Sequence, residues 1–182
     1  DYVQLVNASA NSILKEAELS PQITHEPGRA LIGPAGATIY RIGSAKPVKL
    51  VDGGTKVYVS VDGGLADNPR PALYDAVYEI VATSAEPERE LDRDQMVPVT
   101  ICGRHCETDN LFENAMIPSN TRPGDYLQVL ATGAYNNSMA SNYNRYPRPK
   151  MVLIREGGEA QLIQREESWD EMFERESIPE GL

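Results

Sequence analysis

VDGGLADNPRPALY, residues 61–74, leaves an alternating apolar segment, turns on two glycines, and presents an arginine between two prolines. The residues before it, KVYVSVD, set Val57, Val59 and Val61 on one face and Tyr58, Ser60 and Asp62 on the other, the pattern of a half-buried strand. Pro69 and Pro71 have a fixed φ and donate no backbone hydrogen bond, so they stiffen the chain around Arg70. A guanidinium held rigidly at a strand end suits bidentate capture of a carboxylate. A surface arginine in a proline-rich turn would look the same, so the loop takes its meaning from the rest of the chain.

Outward from that strand, the sequence is mostly β. VYEIVAT, MVPVTIC, YLQVLAT, KMVLIRE and AQLIQRE are further strand candidates, and the last two flank Gly157-Gly158 as a hairpin. Together they predict an antiparallel domain of six or more strands. Residues 1–20 read as a helix, with Val6, Ala10, Ile13, Leu14 and Ala17 on one stripe and Ser20-Pro21 as the stop. A short apolar pass follows, then HEPGRALIGPAG, whose glycines and prolines mark a loop with one helical turn. Near the other end, Ser168 and Glu171 have capping-box spacing, and Trp169, Met172 and Phe173 share a packing face.

The 182 residues are 41% hydrophobic and 24% charged, enough for one domain and part of another. The net charge of −10 is concentrated from Glu156 onward, where nine acidic and two basic residues leave only −3 for the other 155. This is a solvated acidic face, and nothing in the chain offers the basic stripe that nucleic acid requires. No apolar run reaches the length of a membrane span. Two cysteines four residues apart make no disulfide framework, so the expected compartment is the reducing cytoplasm. The chain begins at Asp1 inside a helical pattern, which suggests a piece of a longer protein.

Three further segments carry chemistry. Glu26-Pro27-Gly28-Arg29 sets opposite charges on one turn, with a glycine that permits close backbone approach to a ligand. In Cys102-Gly-Arg-His-Cys106-Glu107, a thiol can act as a general acid near neutrality and a carboxylate can bind an ammonium group. A zinc site from Cys102, Cys106, His105 and His25 is the rival there, disfavoured because structural zinc prefers paired knuckles, so no metal is expected. TGAYNNSMASNYNRYPRP, residues 132–149, places Tyr135 at a strand end with its hydroxyl free to reach a phosphate or substrate.

Taken in order, EPGRALIGPAG, YVSVDGGLADNPRPALY, GRHCETDNLF and GDYLQVLATGAYNNSMASNYNRYPRP resemble the diaminopimelate decarboxylase family of pyridoxal-phosphate enzymes, in the alanine-racemase-like fold class. The similarity spans about residues 26–149 and continues toward the terminal hairpin. It implies a β-sandwich or barrel domain over residues 38–182, preceded at 1–37 by the last helix, last strand and EPGR turn of a pyridoxal-binding (β/α)8 barrel. It also implies a cytoplasmic homodimer with shared active sites that converts meso-diaminopimelate to L-lysine and carbon dioxide in lysine biosynthesis.

The same resemblance implies roles for individual residues. Glu26 would face the pyridine nitrogen, and Pro27, Gly28, Arg29 and Tyr135 would contact pyridoxal 5'-phosphate. Arg29, Arg70, Tyr74, Glu107 and Tyr135 would hold substrate, and Cys106 would be the proton donor in the partner subunit's site. Ornithine and arginine decarboxylases share the EPGR turn, but their substrates lack a distal carboxylate, and the DNPRPALY loop favours diaminopimelate. None of the five lysines, Lys15, Lys46, Lys49, Lys56 and Lys150, lies in the context of the family's Schiff-base lysine, so the chain alone is expected to be inactive. A non-catalytic dimerisation module would not need Cys106, Glu107, Arg29, Arg70 and Tyr135, and a carbohydrate- or protein-binding β-sandwich would leave the arginine and cysteine loops unexplained.

Overall fold

In the computed structural model, which describes residues 2–181, the chain opens with helix α1 (Tyr2–Glu16). It stops before Ser20-Pro21 because Glu18 takes a left-handed φ of 54°. Leu19 N–H then bonds Leu14 O and Glu18 N–H bonds Lys15 O, a Schellman closure that satisfies the last carbonyls. The EPGR turn leads into α2 (Arg29–Ile32) and a 3-10 turn (Gly33–Ala35), the helical turn expected in this loop. The apolar pass between α1 and this turn forms no strand in this chain. A strand exists through its ladder, and no neighbouring strand pairs with residues 18–28 among the described residues.

Eight strands follow, β1 (Ala37–Lys49), β2 (Thr55–Val61), β3 (Ile80–Thr83), β4 (Met96–Cys102), β5 (Asn110–Pro118), β6 (Tyr126–Leu130), β7 (Met151–Ile154) and β8 (Ala160–Gln164). Helix α3 (Arg70–Tyr74) lies between β2 and β3, α4 (Asn136–Met139) follows β6, and α5 (Trp169–Phe173) follows β8. The first six strands form one sheet in the order β3-β6-β1-β2-β4-β5, and β7-β8 form the expected hairpin. Contacts between the edge strands β3 and β5 curl the large sheet almost shut, like a barrel.

Strand β1 holds this sheet together by changing partners. Residues 37–41 pair with β6 and residues 42–49 with β2, with an irregularity between Ile42 and Ser44 where Gly43 intervenes. Pro47 sits in the second half, where only β2 is alongside, so its missing N–H breaks no ladder bond on the other side. Inward residues close the core, including Tyr40, Ile42, Val59, Val61, Ile101, Leu127 and Val129, and the alternation of β2 is the one read from the sequence. α5 carries the expected capping box, and Trp169 stacks on Phe173 at 6.4 Å rather than entering that core. β5 carries no such alternation and its strand was not anticipated.

One pairing departs from an all-antiparallel sheet: β2 runs parallel to β4, with Val59 opposite Ile101. The long connection through α3 and β3 makes this possible, since parallel neighbours need a crossover. The consequence is positional. β1 is antiparallel to both β2 and β6, so the carboxyl ends of β2, β4 and β6 and the amino end of β1 all lie at one end of the barrel. The segments with useful chemistry leave the sheet at that end.

Asp125, which precedes β6, ties loops at the other end. It is 1% exposed and accepts from Ala85 N–H at 3.1 Å and Arg122 N–H at 2.9 Å while pairing with Arg89. Burial opposes its charge, but the Arg89 guanidinium and the two backbone donors prevail and hold the carboxyl below the usual carboxylate range. Such a lowered group stabilises the fold fully above its unfolded value and loses that contribution as pH falls through the folded value. Asp125→Ala is therefore expected to cost about 3 kcal/mol at pH 7. Urea unfolding should show its deficit relative to the native protein shrinking below about pH 4.

Candidate functional site

Two groups of side chains stand at this end of the barrel. The first gathers around Tyr78, a buried residue whose ring meets Phe112 edge-on at 6.1 Å. Arg70 begins α3, with Pro71 in its first turn, where a missing N–H costs nothing. The predicted stiff loop is thus the start of a helical turn that Asp75 ends with a φ of 51°. From there Arg70 Nε donates to the Tyr78 hydroxyl at 3.1 Å, and Arg29 Nη1 donates to the same oxygen at 3.4 Å. The Arg29 guanidinium also lies 5.0 Å from the centre of the Tyr78 ring, and that of Arg70 lies 5.3 Å from Tyr74 and 5.2 Å from Tyr135.

The structure therefore brings Arg29, Arg70, Tyr74 and Tyr135 together, with Gly28 beside them. A Cβ built on Gly28 would lie 2.1 Å from the Tyr135 hydroxyl oxygen, so any side chain there would displace the tyrosine. Tyr135 itself has a φ of 72°, a conformation that costs a non-glycine residue about 1–3 kcal/mol and persists only where packing enforces it. Neither Arg29 nor Arg70 forms an ion pair among the described residues. Glu26 is exposed on the same turn.

The second group surrounds Cys106. His105 and Asp109 are buried, and Asp109 Oδ2 accepts from His105 N–H at 3.1 Å and lies 2.5 Å from His105 Nδ1. Asp109 Oδ1 accepts from Leu65 N–H at 2.9 Å, joining this loop to the glycine turn after β2. Glycines are required there: a Cβ on Gly64 or Gly103 would come within 2.2 or 1.9 Å of Asp109 Oδ2. Above the buried pair, Cys106 is exposed, and its N–H donates to Asn144 Oδ1 at 3.0 Å. The Tyr143 hydroxyl donates to Glu107 Oε1 at 2.6 Å, a bond that raises the tyrosine's pKa. The rings of Tyr143 and Tyr146 flank His105 at 5.8 and 5.2 Å.

Cys106 and Glu107 share this surface, and no hydrogen bond or ring contact joins them to Arg29, Arg70 or Tyr135 among the described residues. The set weighed for zinc is dispersed among other partners. His25 Nε2 meets Asn7 Oδ1 at 2.8 Å, His105 meets Asp109, and burial, then the Asp109 charge, raise the Cys102 thiol. Sequence patterning missed Tyr78, Asp109 and Asn136. Asp109 and Asn136 lay inside quoted motif strings without a role, and Tyr78 lay in the strand candidate VYEIVAT.

Comparison with known proteins places the chain in a family. A family described as "Pyridoxal-dependent decarboxylase, C-terminal sheet domain" matches residues 30–133. The chain is similar to diaminopimelate decarboxylase of Bacillus subtilis, at 45% identity over 84% of this chain and 32% of that protein. It is also similar to the enzyme of that name from Synechocystis, at 40% identity over 89% of the chain and 32% of the relative. Among solved structures, diaminopimelate decarboxylase from M. jannaschii in co-complex with L-lysine superposes with a TM-score of 0.76 and 29% identity. That match covers 96% of this chain and 38% of the other. The chain thus spans about a third of the length of the curated relatives it matches.

Because Asp109 anchors both the cysteine loop and the glycine turn, Asp109→Ala is expected to destabilise the protein by about 3 kcal/mol, leaving buried donors unpaired. A lowered urea midpoint checks this, together with faster amide exchange at Leu65 and His105.

Proposed function

The chain belongs to the pyridoxal-dependent decarboxylase family, as its C-terminal sheet domain, and from that membership we propose that it supplies half of each active site in a diaminopimelate decarboxylase. The observation that carries this reading is the pair of guanidiniums, Arg29 and Arg70, that converge on one neutral oxygen and form no ion pair among the described residues. Two close cations without a counter-ion suit an anionic ligand. Meso-diaminopimelate fits, since one end reacts and the other keeps its carboxylate and ammonium. A substrate lacking the distal carboxylate would leave the two guanidiniums without their anion, which is the physical basis for excluding ornithine and arginine.

In this reading residues 1–37 complete a cofactor-binding barrel and residues 38–182 form the β domain. The residues on the EPGR turn fit pyridoxal phosphate: Gly28 leaves no side chain in the way, Glu26 offers an exposed carboxylate for a protonated ring nitrogen, and the Tyr135 hydroxyl lies against the glycine. Bound there, the cofactor supplies the electron sink for decarboxylation. Glu26 would hold the proton at the ring nitrogen. Arg29, Arg70, Tyr74 and Tyr135 would orient the substrate.

Cys106 and Glu107 belong to the separate surface group, which supports their use in the partner subunit's site of a homodimer. There the Cys106 thiol would give its proton to the substrate α-carbon, while Glu107, braced by Tyr143, would bind an ammonium group. The Asn144 bond to the Cys106 N–H fixes the main chain beneath the thiol. The relatives' names and the absence of any helix long and apolar enough to cross a membrane, among the described residues, are compatible with a soluble small-molecule enzyme.

The test is lysine formation from meso-diaminopimelate by the full-length protein with pyridoxal phosphate. Cys106→Ala is expected to lower kcat by roughly 100-fold or more, the usual worth of a positioned general acid. Wild-type turnover in that variant would remove the proton-donor role, and no turnover by the native enzyme would remove the substrate assignment.

A further inference from the structure

We propose that Tyr78 is a positioning residue that sets the spacing of the two guanidiniums and thereby makes the site selective for a substrate with a distal carboxylate. The inference rests on the decarboxylase reading above and adds to it a residue that touches neither substrate nor cofactor.

The hydroxyl of Tyr78 uses its whole hydrogen-bonding capacity. A phenol oxygen has two acceptor positions and one hydrogen. Arg70 Nε and Arg29 Nη1 take the two acceptor positions, at 3.1 and 3.4 Å, and the hydrogen goes to Asn136 Oδ1 at 3.4 Å. A second amide matches this direction. Asn136 Nδ2 donates to Asn68 Oδ1 at 2.7 Å, and the Asn136 oxygen faces Tyr78. With its hydrogen committed there, the phenol presents only lone pairs to the arginines.

The frame behind this oxygen is rigid. Tyr78, Asn136 and Asn68 are all buried, Asn68 completely. Asn68 stands two residues before Arg70 in the same proline-bounded loop, and Asn136 directly follows Tyr135. The amide pair therefore locks the Arg70 loop to the Tyr135 turn, and Tyr78 adds Arg29 from the EPGR turn. Three segments far apart in sequence are registered through one oxygen atom.

The energetic logic follows from charge. Two guanidiniums repel each other, and a flexible pair would separate into solvent. A fixed neutral acceptor between them holds both within reach of one additional anion. Without it the arginines remain present, but their fork is no longer preset for a carboxylate.

The experiment compares wild-type, Tyr78→Phe and Asn136→Ala forms of the full-length enzyme. Tyr78→Phe keeps the ring and its Phe112 contact and removes only the oxygen. The preference for meso-diaminopimelate over L-ornithine, as a ratio of kcat/KM values, is expected to fall by roughly 10- to 100-fold, the worth of hydrogen bonds to charged groups. The change should appear mainly as a higher KM for diaminopimelate. Asn136→Ala should move the ratio in the same direction by a smaller factor and serves if Tyr78→Phe does not fold. A second readout needs no turnover: the Arg70 Nε–H signal in NMR spectra should be slow to exchange in the wild type and fast in Tyr78→Phe. If the wild type makes lysine while the ratio and KM stay unchanged in the variants, the positioning role is overturned. If the wild type makes none, the substrate assignment fails, and the exchange of Arg70 Nε–H alone decides whether Tyr78 holds the pair; an unchanged signal overturns it.

Discussion

The close approach of backbone at Gly63, Gly64 and Gly103 is the constraint on which the rest depends. A Cβ on Gly63 would lie 2.1 Å from the Tyr40 ring, and Gly64 and Gly103 meet the Asp109 carboxylate almost directly. Without side chains these glycines let the ends of two parallel strands come together, and Asp109 fills the junction with bonds to Leu65 and His105. Tyr40 completes it from β1 by donating its hydroxyl to Asp67, whose other oxygen accepts from Gly64 N–H at 2.8 Å. From this junction one loop leads to Arg70 and another to Cys106.

The two chemical groups at the barrel end differ in how they are built. Around Tyr78 the side chains of Tyr78, Asn136 and Asn68 are buried and bonded in a chain that ends on the two arginines, so the arginines have little freedom. Around Cys106 the buried His105–Asp109 pair forms a base, while the thiol and the Glu107 carboxylate stand exposed upon it. The first arrangement suits recognition of a ligand held within the same subunit. The second leaves its reactive side chains open on the surface. A single barrel end can carry both arrangements because the amino ends of β1, β3 and β5 and the carboxyl ends of β2, β4 and β6 all feed loops to it.

Much of the site was legible as short strings. Glycine pairs, prolines around an arginine, and a cysteine beside a carboxylate each announce local chemistry, because backbone freedom and side-chain reactivity are local properties. The strands of alternating pattern were legible for the same reason. Strand β5 was not, because its alternation is irregular: Leu111 and Phe112 are buried in succession, and β4 and β5 slip register beside them. Tyr78 was also missed, since VYEIVAT marks it as one more strand residue and nothing nearby shows that two distant arginines will meet its hydroxyl.

Composition, periodicity and motif order were enough to establish a mostly β domain and to single out the loops that carry reactive side chains, since each depends on neighbours within a few residues. The parallel pairing of β2 with β4, the partner switch of β1 at Gly43, and the convergence of Arg29, Arg70 and Asn136 on Tyr78 belong to the folded state alone. They join residues between 8 and 58 positions apart along the chain, or strands separated by whole elements. Contacts of that kind arise when a curled sheet brings its ends together, and no local pattern encodes which atoms will then touch.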